Sequence, residues 1–157
     1  MQALLHAAHP ATIVLTGVLA GAVLTTWLSE ASLGATPELW IGYHQAITPA
    51  YTRALPPLGG LALIAALAAL AASWGSPRDR RLILTAVACL LIGLVITVVV
   101  HFPINAEIAT WLPAAPPTDW QQIRDRWLAA HVVRTALSVA AFTLLVTSGP
   151  RHRGAAR

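Results

Sequence analysis

The sequence predicts an all-α protein, a bundle of four transmembrane helices, and three observations support this fold class. Of its 157 residues, 57% are hydrophobic and only 10% are charged. The mean hydropathy of +0.67 lies outside the range of soluble domains. Four apolar stretches, approximately residues 11–29, 56–74, 82–100 and 128–147, are each long enough to cross a hydrocarbon core, which takes roughly 20 helical residues. We therefore expect one membrane domain over residues 1–157.

The first two spans have the features of retained membrane helices. Residues 1–10 contain no Lys or Arg, and the apolar stretch that follows is longer than a usual signal-peptide core, so we expect the first helix to be kept. Within it, Gly17 and Gly21 form a small-xxx-small pattern, which permits close helix approach. The second span has no polar side chain over residues 58–72, which predicts a scaffold helix.

The third span ends in polar residues around a proline. Pro103 lacks an N–H group and clashes with the carbonyl of Val99, which predicts that the helix kinks or ends there. If the helix continues, Thr97, His101 and Asn105 lie on one face at spacings of four residues. Ionisable groups at membrane depth are rare and usually functional, so this face is a candidate site.

The fourth helix is predicted to begin before its apolar part. Residues 116–117 are both proline and mark its boundary, and residues 118–121 match a capping box in which the Thr118 hydroxyl covers the Gln121 amide. From residue 119 to residue 147 the helix would measure about 43 Å, so it would extend beyond the membrane or tilt.

A polar stripe follows one face of this fourth helix. Its members are separated by 3, 4, 3 and 4 residues, and the opposite face is apolar. A stripe of this kind is expected to face the bundle interior or a wet cavity rather than lipid. The members are Arg124, Trp127, His131, Arg134 and Ser138.

The distribution of arginine predicts the orientation of the chain. All ten basic residues are arginine; six lie in the link at 75–81 and in the C-terminal tail, and three lie in the opposite loops. The positive-inside rule then places both termini in the cytoplasm and the loops 30–55 and 101–126 outside, in a multi-pass protein of the cytoplasmic (inner) membrane. The six are Arg78, Arg80, Arg81, Arg151, Arg153 and Arg157, and the three are Arg53, Arg124 and Arg126.

This orientation gathers most of the polar candidates at one end of the bundle. Seven of them lie in the outer half or on the outer rim, which predicts one site at the outer end: Glu30, His44, His101, Asn105, Glu107, His131 and Arg134. Although the pI is high, the arginines form no basic face, so we expect no nucleic-acid partner. The single Cys89 excludes an internal disulfide and a cysteine-based metal site.

Two motifs in these regions resemble a known family. The run from His101 to Asn105 contains P-x-N, and Trp127, His131 and Arg134 form the pattern W-x-x-x-H-x-x-R-T. This combination resembles the anthrone-oxygenase-like family of small four-helix membrane proteins, and the likeness extends to the four-span layout. The resemblance implies oxidation of an anthrone to an anthraquinone with dioxygen, without a flavin or haem.

With this resemblance, the residues suggest a set of roles. His101 or His131 would remove a proton from an acidic C–H group, and Arg134 with Asn105 would stabilise the resulting enolate oxygen. Four further residues are candidates for binding a flat, lipophilic substrate: Trp127, Trp111, Tyr43 and Glu107. No cofactor is favoured.

Two alternatives remain open. His44, His101, His131 and Glu30 are the residue types that hold copper, zinc or iron, although no close histidine pair occurs in the sequence. A non-catalytic protein that seats a lipid, a quinone or an anionic headgroup on Arg134 is the second alternative. The expected partners are the lipid bilayer and a lipophilic small molecule, and the glycine-containing helix faces would also permit a homo-oligomer.

Overall fold

The computed structural model describes residues 2–33 and 36–149, with side chains from residue 7 onward. Its main elements are α1 (Gln2–Ser32), α2 (Pro37–Ala72), α3 (Pro77–Ile96), α4 (Phe102–Ile108) and α5 (Trp120–Thr147). A 3-10 turn over Ser73–Gly75 follows α2, and a π-helical turn over Thr97–His101 joins α3 to α4.

Four helical segments are long and apolar enough to span a membrane. They are Ala7–Ser32, Pro37–Gly75, Pro77–Ile108 and Trp120–Thr147. The all-α, four-helix prediction is therefore confirmed. Part of the arginine count that predicts the orientation rests on Arg151, Arg153 and Arg157, which lie outside the described residues.

The region predicted as an outer loop, residues 30–55, is mostly helical, so that expectation is wrong. The Thr36 hydroxyl accepts a hydrogen bond from the Leu39 amide at 3.4 Å, and Pro37 occupies the first turn, where its missing N–H is tolerated. The helix then continues through Pro49, Pro56 and Pro57. At 36 residues α2 is about 54 Å long, well beyond the thickness of a hydrocarbon core.

The irregularity expected near Pro103 is the π-helical turn. The amide of Phe102 donates to the carbonyl of Thr97, five residues back, and Pro103 then lies in the first turn of α4. The helix continues to Ile108, where the Gln45 side chain donates to the carbonyls of Ile108 and Trp111 at 2.8 and 2.9 Å. This amide on α2 therefore satisfies carbonyl groups at the end of α4.

The capping box predicted for the fourth helix does not form. The helix begins at Trp120, and its N-cap residue Asp119 makes no side-chain cap hydrogen bond. The Trp120 amide instead donates to the carbonyl of Pro117 at 3.2 Å. With 28 residues, α5 is about 42 Å long, which confirms that it exceeds the length needed to cross the hydrocarbon core.

Small side chains let the helices approach closely in the half of the bundle that contains the Ser73–Gly75 turn. Helix α1 packs on α2 and α5, and α3 packs on α5. Ala66, Ala86 and Ala141 are fully buried where these helices meet. A Cβ atom on Gly17 would lie 2.9 Å from the Phe142 ring. The close approach that Gly17 permits is therefore between α1 and α5.

The half of the bundle that contains α4 has a different core, built from aromatic and branched residues. Trp40 and Ile41 from α2 are fully buried and pack with Trp111 and Trp127. The Arg124 guanidinium lies 5.9 Å from the centre of the Trp40 ring, within cation–π range. This aromatic cluster lies at the α4 end of the bundle, next to the polar residues.

Candidate active site

A cavity lies between the two cores, and residues from every membrane-spanning helix line it. The cavity has a volume of about 100 Å³. Leu63, Leu90 and Leu94 belong to the apolar part of its lining. The polar part of the lining is Glu30, His101, Asn105 and Arg134, with Thr26, Thr97 and Ser138 beside them.

The lining of the cavity differs in exposure from helix to helix. Most of its lining residues on α1 and α5, such as Val23, Trp127 and Ser138, are buried. On α2 and α3–α4 the lining residues Thr52, Leu94 and Phe102 are exposed. The opening therefore lies between α2 and α3, on an apolar side of two membrane-spanning segments.

His101 is buried with both ring nitrogens unused. The residue is 2% exposed and lines the cavity, and neither nitrogen forms a hydrogen bond with any residue that the structure describes. Its ring contacts the edges of two others: the centroid of Trp127 lies 5.2 Å away and that of His131 lies 5.5 Å away. Buried polar atoms are normally paired, so His101 is suited to bind or deprotonate a ligand.

His131 is held as a neutral imidazole by two contacts. Arg134 donates from its Nη2 to Nδ1 of His131 at 2.8 Å, because a guanidinium can only donate. The opposite nitrogen, Nε2, therefore carries the proton and donates to the carbonyl of Val23 at 2.9 Å. Both nitrogens are engaged, and the residue is fully buried. His131 thus orients Arg134 and does not offer a free nitrogen to the cavity.

Arg134 has no carboxylate partner. Its second terminal nitrogen donates to the Thr97 hydroxyl at 3.2 Å, and Nε has no hydrogen-bond partner. Each of the six acidic residues of the chain falls within the described ranges, and none forms an ion pair with Arg134. A guanidinium placed this way in an apolar surrounding is suited to an anionic oxygen of a ligand.

Asn105 connects the third and fourth spans with α2. The Trp127 indole N–H donates to Oδ1 of Asn105 at 2.8 Å, and Nε2 of His44 lies 3.2 Å from the same oxygen. The Trp127 ring also stacks on His131, with centroids 4.7 Å apart and planes at 18°. With Oδ1 occupied, the amide nitrogen Nδ2 is the donor that Asn105 offers to the cavity.

The second polar pair at the cavity is Glu30 with His44. Oε1 of Glu30 lies 2.9 Å from Nδ1 of His44, and both side chains are 1% exposed. The other carboxyl oxygen, Oε2, has no hydrogen-bond partner in the described structure. Both residues were predicted as members of one polar site and as possible metal ligands, and the structure places them beside other residues of that site.

The metal alternative is not supported by this arrangement. Across the described parts of the chain, no three His, Cys, Asp or Glu side chains are placed to hold one ion. His131 has no free nitrogen for an ion, since Arg134 and the Val23 carbonyl occupy both. The proposed set of His44, His101, His131 and Glu30 is therefore not assembled around a common point.

Three predicted substrate-binding residues lie away from the cavity. Trp111 is buried in the cluster that contains Trp40 and Ile41. Tyr43 is half-buried on α2, and Glu107 is exposed. None of the three lines the cavity that the described residues enclose. The fourth, Trp127, is part of its wall.

The sequence reading missed the contribution of α2 to this site. Ile47, Thr48, Tyr51, Thr52 and Leu55 all line the cavity. Their spacing of three and four residues continues from His44, which is the pattern of one helix face and was a usable signal. The signal was not used because residues 30–55, which lie between two apolar stretches, were taken for a loop.

The comparison with known families agrees with these motifs. The model of the family described as anthrone oxygenase matches residues 47–144, which is more than half of the chain. The chain belongs to the anthrone oxygenase family. The match includes His101, Asn105, Trp127, His131 and Arg134.

The anthrone oxygenase match ends short of two other site residues. Glu30 and His44 precede the matched segment, so this part of the site has no counterpart in the comparison. No curated protein and no solved structure matches the chain.

Proposed function

We propose that this anthrone oxygenase family member is a membrane oxygenase that converts a flat, lipophilic aromatic substrate of the anthrone or hydroquinone type with dioxygen. The observation that supports it is the pairing of two unsatisfied groups at one cavity. His101 offers two unpaired ring nitrogens, and Arg134 is a cation without a carboxylate. A base and an anion-binding group beside an apolar space suit a substrate that must lose a proton and carry the charge on oxygen.

An anthrone matches these requirements in its chemistry. Its CH₂ carbon lies between two aromatic rings and opposite a carbonyl, so loss of one proton gives a phenolate-like anion with an aromatic centre. His101 is the proposed base, because it is the lining imidazole whose nitrogens are free. Hydroquinones share the acidic oxygen and the flat shape, and they form the second substrate class. Their oxidation would remove two hydrogens, insert no oxygen and reduce dioxygen to hydrogen peroxide.

Arg134 is the proposed partner of the substrate oxygen. Its guanidinium is held in place by His131 and Thr97 before any ligand arrives, so little reorganisation is needed when charge develops. The Asn105 amide nitrogen is a second donor at the same end of the cavity. The lining leucines and the Trp127 ring supply the apolar surface for the aromatic rings.

The overall reaction balances without a further reductant. The CH₂ carbon of the anthrone loses two hydrogens and gains one oxygen atom from dioxygen, and the second oxygen atom leaves as water. The carbon is oxidised by four electrons and dioxygen is reduced by four. The chain contributes proton transfer and charge stabilisation, and the substrate anion supplies the electrons.

The test is oxygen uptake by the protein in phospholipid vesicles, with anthrone and hydroquinone substrates and protein-free vesicles to correct for spontaneous oxidation. We expect wild-type protein to consume oxygen and form the quinone. His101→Asn should lower the rate by about 100-fold or more, the usual contribution of a general base. His9→Asn is the matched control, since His9 bonds to Ser148 at the opposite end of the bundle.

Two results would contradict the proposal. One is wild-type oxygen uptake no faster than that of empty vesicles with every substrate. The other is unchanged turnover in His101→Asn. If a lipid or quinone instead copurifies in the cavity and no substrate is oxidised, the non-catalytic binding role is the better account.

A further inference from the structure

The Glu30–His44 pair has no part in the chemistry assigned so far. It lies outside the segment that matches the family, so the family likeness assigns it nothing. Glu30 nevertheless lines the cavity, and its Oε2 atom has no partner within the described structure. A carboxyl group that is 1% exposed normally has both oxygens satisfied. The free oxygen therefore indicates contact with a ligand.

The hydrogen bonds around His44 determine how many protons the pair holds. An indole N–H can only donate, so the Asn105 atom that faces Trp127 at 2.8 Å is an oxygen. That oxygen can only accept, and Nε2 of His44 must therefore carry a hydrogen. One further proton lies between Nδ1 of His44 and Oε1 of Glu30, which are 2.9 Å apart.

This arrangement leaves Oε2 of Glu30 able to take up one proton from the cavity. With the shared proton on Nδ1, the pair is an imidazolium and a carboxylate, and Oε1 stays bonded to His44 while Oε2 accepts. Asn105 and Trp127 hold His44 in place, so the carboxylate keeps its position as its charge changes. The other ionisable side chains that line the cavity are His101, Arg134 and Tyr51.

We infer that Glu30 is a second catalytic base, which removes the second proton from the reacting carbon. This inference rests on the proposed function. Conversion of CH₂ to C=O requires the loss of two C–H protons at different stages. Two buried acid–base groups that line the cavity, His101 and Glu30, have side-chain atoms without a partner in the described structure. The Trp127 ring lies beside both, since its centroid is 5.2 Å from that of His101 and 5.0 Å from that of His44, the partner of Glu30.

The two bases divide the reaction into balanced steps. His101 takes the first proton, the substrate anion combines with dioxygen to form a C–O bond, and His101 returns its proton to give a hydroperoxide. Glu30 then removes the remaining hydrogen on that carbon. The C–H electron pair becomes the C=O bond, the O–O bond breaks, and hydroxide leaves. Hydroxide takes the proton from Glu30 to form water, and both bases are restored.

Glu30→Gln tests this assignment in a single turnover. Glutamine still offers a hydrogen-bond partner to Nδ1 of His44 but cannot accept a proton. Protein in excess is mixed with an anthrone in oxygenated vesicles, quenched with acid, and analysed for hydroperoxide and quinone. Glu38→Gln is the matched control, since Glu38 is an exposed carboxylate on α2 that does not line the cavity.

We expect Glu30→Gln to form the hydroperoxide within about threefold of the wild-type rate and to convert it to quinone about 100-fold more slowly. The ratio of the two species in one sample does not depend on how much protein is folded. If Glu30→Gln does not insert, Glu30→Asp should shift the same ratio in the same direction, because its shorter carboxylate is displaced from the reacting carbon.

The outcomes separate this inference from the proposed function. Quinone formation by Glu30→Gln at the wild-type rate overturns the role of Glu30 alone. Loss of oxygen uptake without hydroperoxide, as expected for His101→Asn, also overturns it, since Glu30 would then act before the oxygen step. Wild-type protein that consumes no oxygen overturns the proposed function and this inference together.

Discussion

Arg134 donates to Nδ1 of His131 across 2.8 Å, and this contact gives His131 a different role from His101. His131 is committed to orienting a cation, whereas His101 keeps both nitrogens free. His131, the histidine of the W-x-x-x-H-x-x-R-T motif, therefore positions Arg134 and is not the proposed base. The first three of the four predictions that follow depend on this and neighbouring contacts.

Replacement of His131 should weaken ligand binding more than it slows the chemical step. His131→Ala removes an acceptor from a buried guanidinium, which costs about 1–3 kcal/mol, equivalent to roughly 5- to 150-fold in Kd for a phenolic ligand. Quenching of the tryptophan fluorescence of the protein under anaerobic conditions measures this Kd. Val132→Ala, an exposed position on the same helix, is the control. A large loss of kcat with unchanged Kd would show that His131 is itself the base.

Replacement of Arg134 should abolish activity without destabilising the fold. Arg134→Met removes a cation that has no carboxylate partner, so we expect a free energy of unfolding equal to that of wild type or about 1 kcal/mol higher. Turnover should fall at least 100-fold, the scale of an electrostatic transition-state contact. Arg134→Lys keeps the charge but cannot donate to His131 and Thr97 at the same time, so its turnover should lie between those of wild type and Arg134→Met. Unfolding in mixed micelles and oxygen uptake provide the two readouts; a markedly less stable Arg134→Met would indicate a structural arginine.

Asn105 should be important mainly for the stability of the site. Asn105→Leu leaves the Trp127 N–H and the His44 Nε2–H without their acceptor, at about 1–3 kcal/mol for each donor left unpaired. Asn105→Asp keeps an acceptor for both and should recover most of that loss. Thermal unfolding of the two variants and of wild type measures these differences in stability. Equal stability of Asn105→Leu and wild type would mean that water satisfies both donors.

The predicted orientation can be checked by cysteine labelling in intact cells. In a Cys89→Ser background, Leu112→Cys lies in the connection between α4 and α5, where Leu112 is 70% exposed. Gly75→Cys lies in the opposite connection, and neither change alters the arginine count. A membrane-impermeant maleimide should label the Leu112→Cys variant in intact cells and the Gly75→Cys variant only after permeabilisation. The reverse pattern would place the site at the cytoplasmic end.

Periodicity predicted the fold and the polar face of α5, because a 3.6-residue repeat assigns side chains to one face whatever surrounds the helix. Trp127, His131 and Ser138 are accordingly buried on that face. The division of roles between His101 and His131 was beyond the sequence. It depends on the carbonyl of Val23, which lies 108 positions away from His131.

Two further features depended on contacts that local patterns do not carry. Proline chemistry predicted a disturbance near Pro103 but not that one π-helical turn would absorb it and let the helix continue. Residues 37–55 of α2 were taken for part of a loop because they lie between two apolar stretches, although the spacing of His44, Thr48 and Tyr51 is helical.

The opening between α2 and α3 affects the ligand concentration that determines occupancy of the cavity. A molecule that exchanges through Thr52, Leu94 and Phe102 would pass between the cavity and the acyl chains without crossing bulk water. Its effective concentration is then its mole fraction in the bilayer, which is set by partitioning. Extra phospholipid at constant total ligand dilutes the ligand in two dimensions and lowers occupancy. Apparent affinities would therefore be comparable only at matched lipid content.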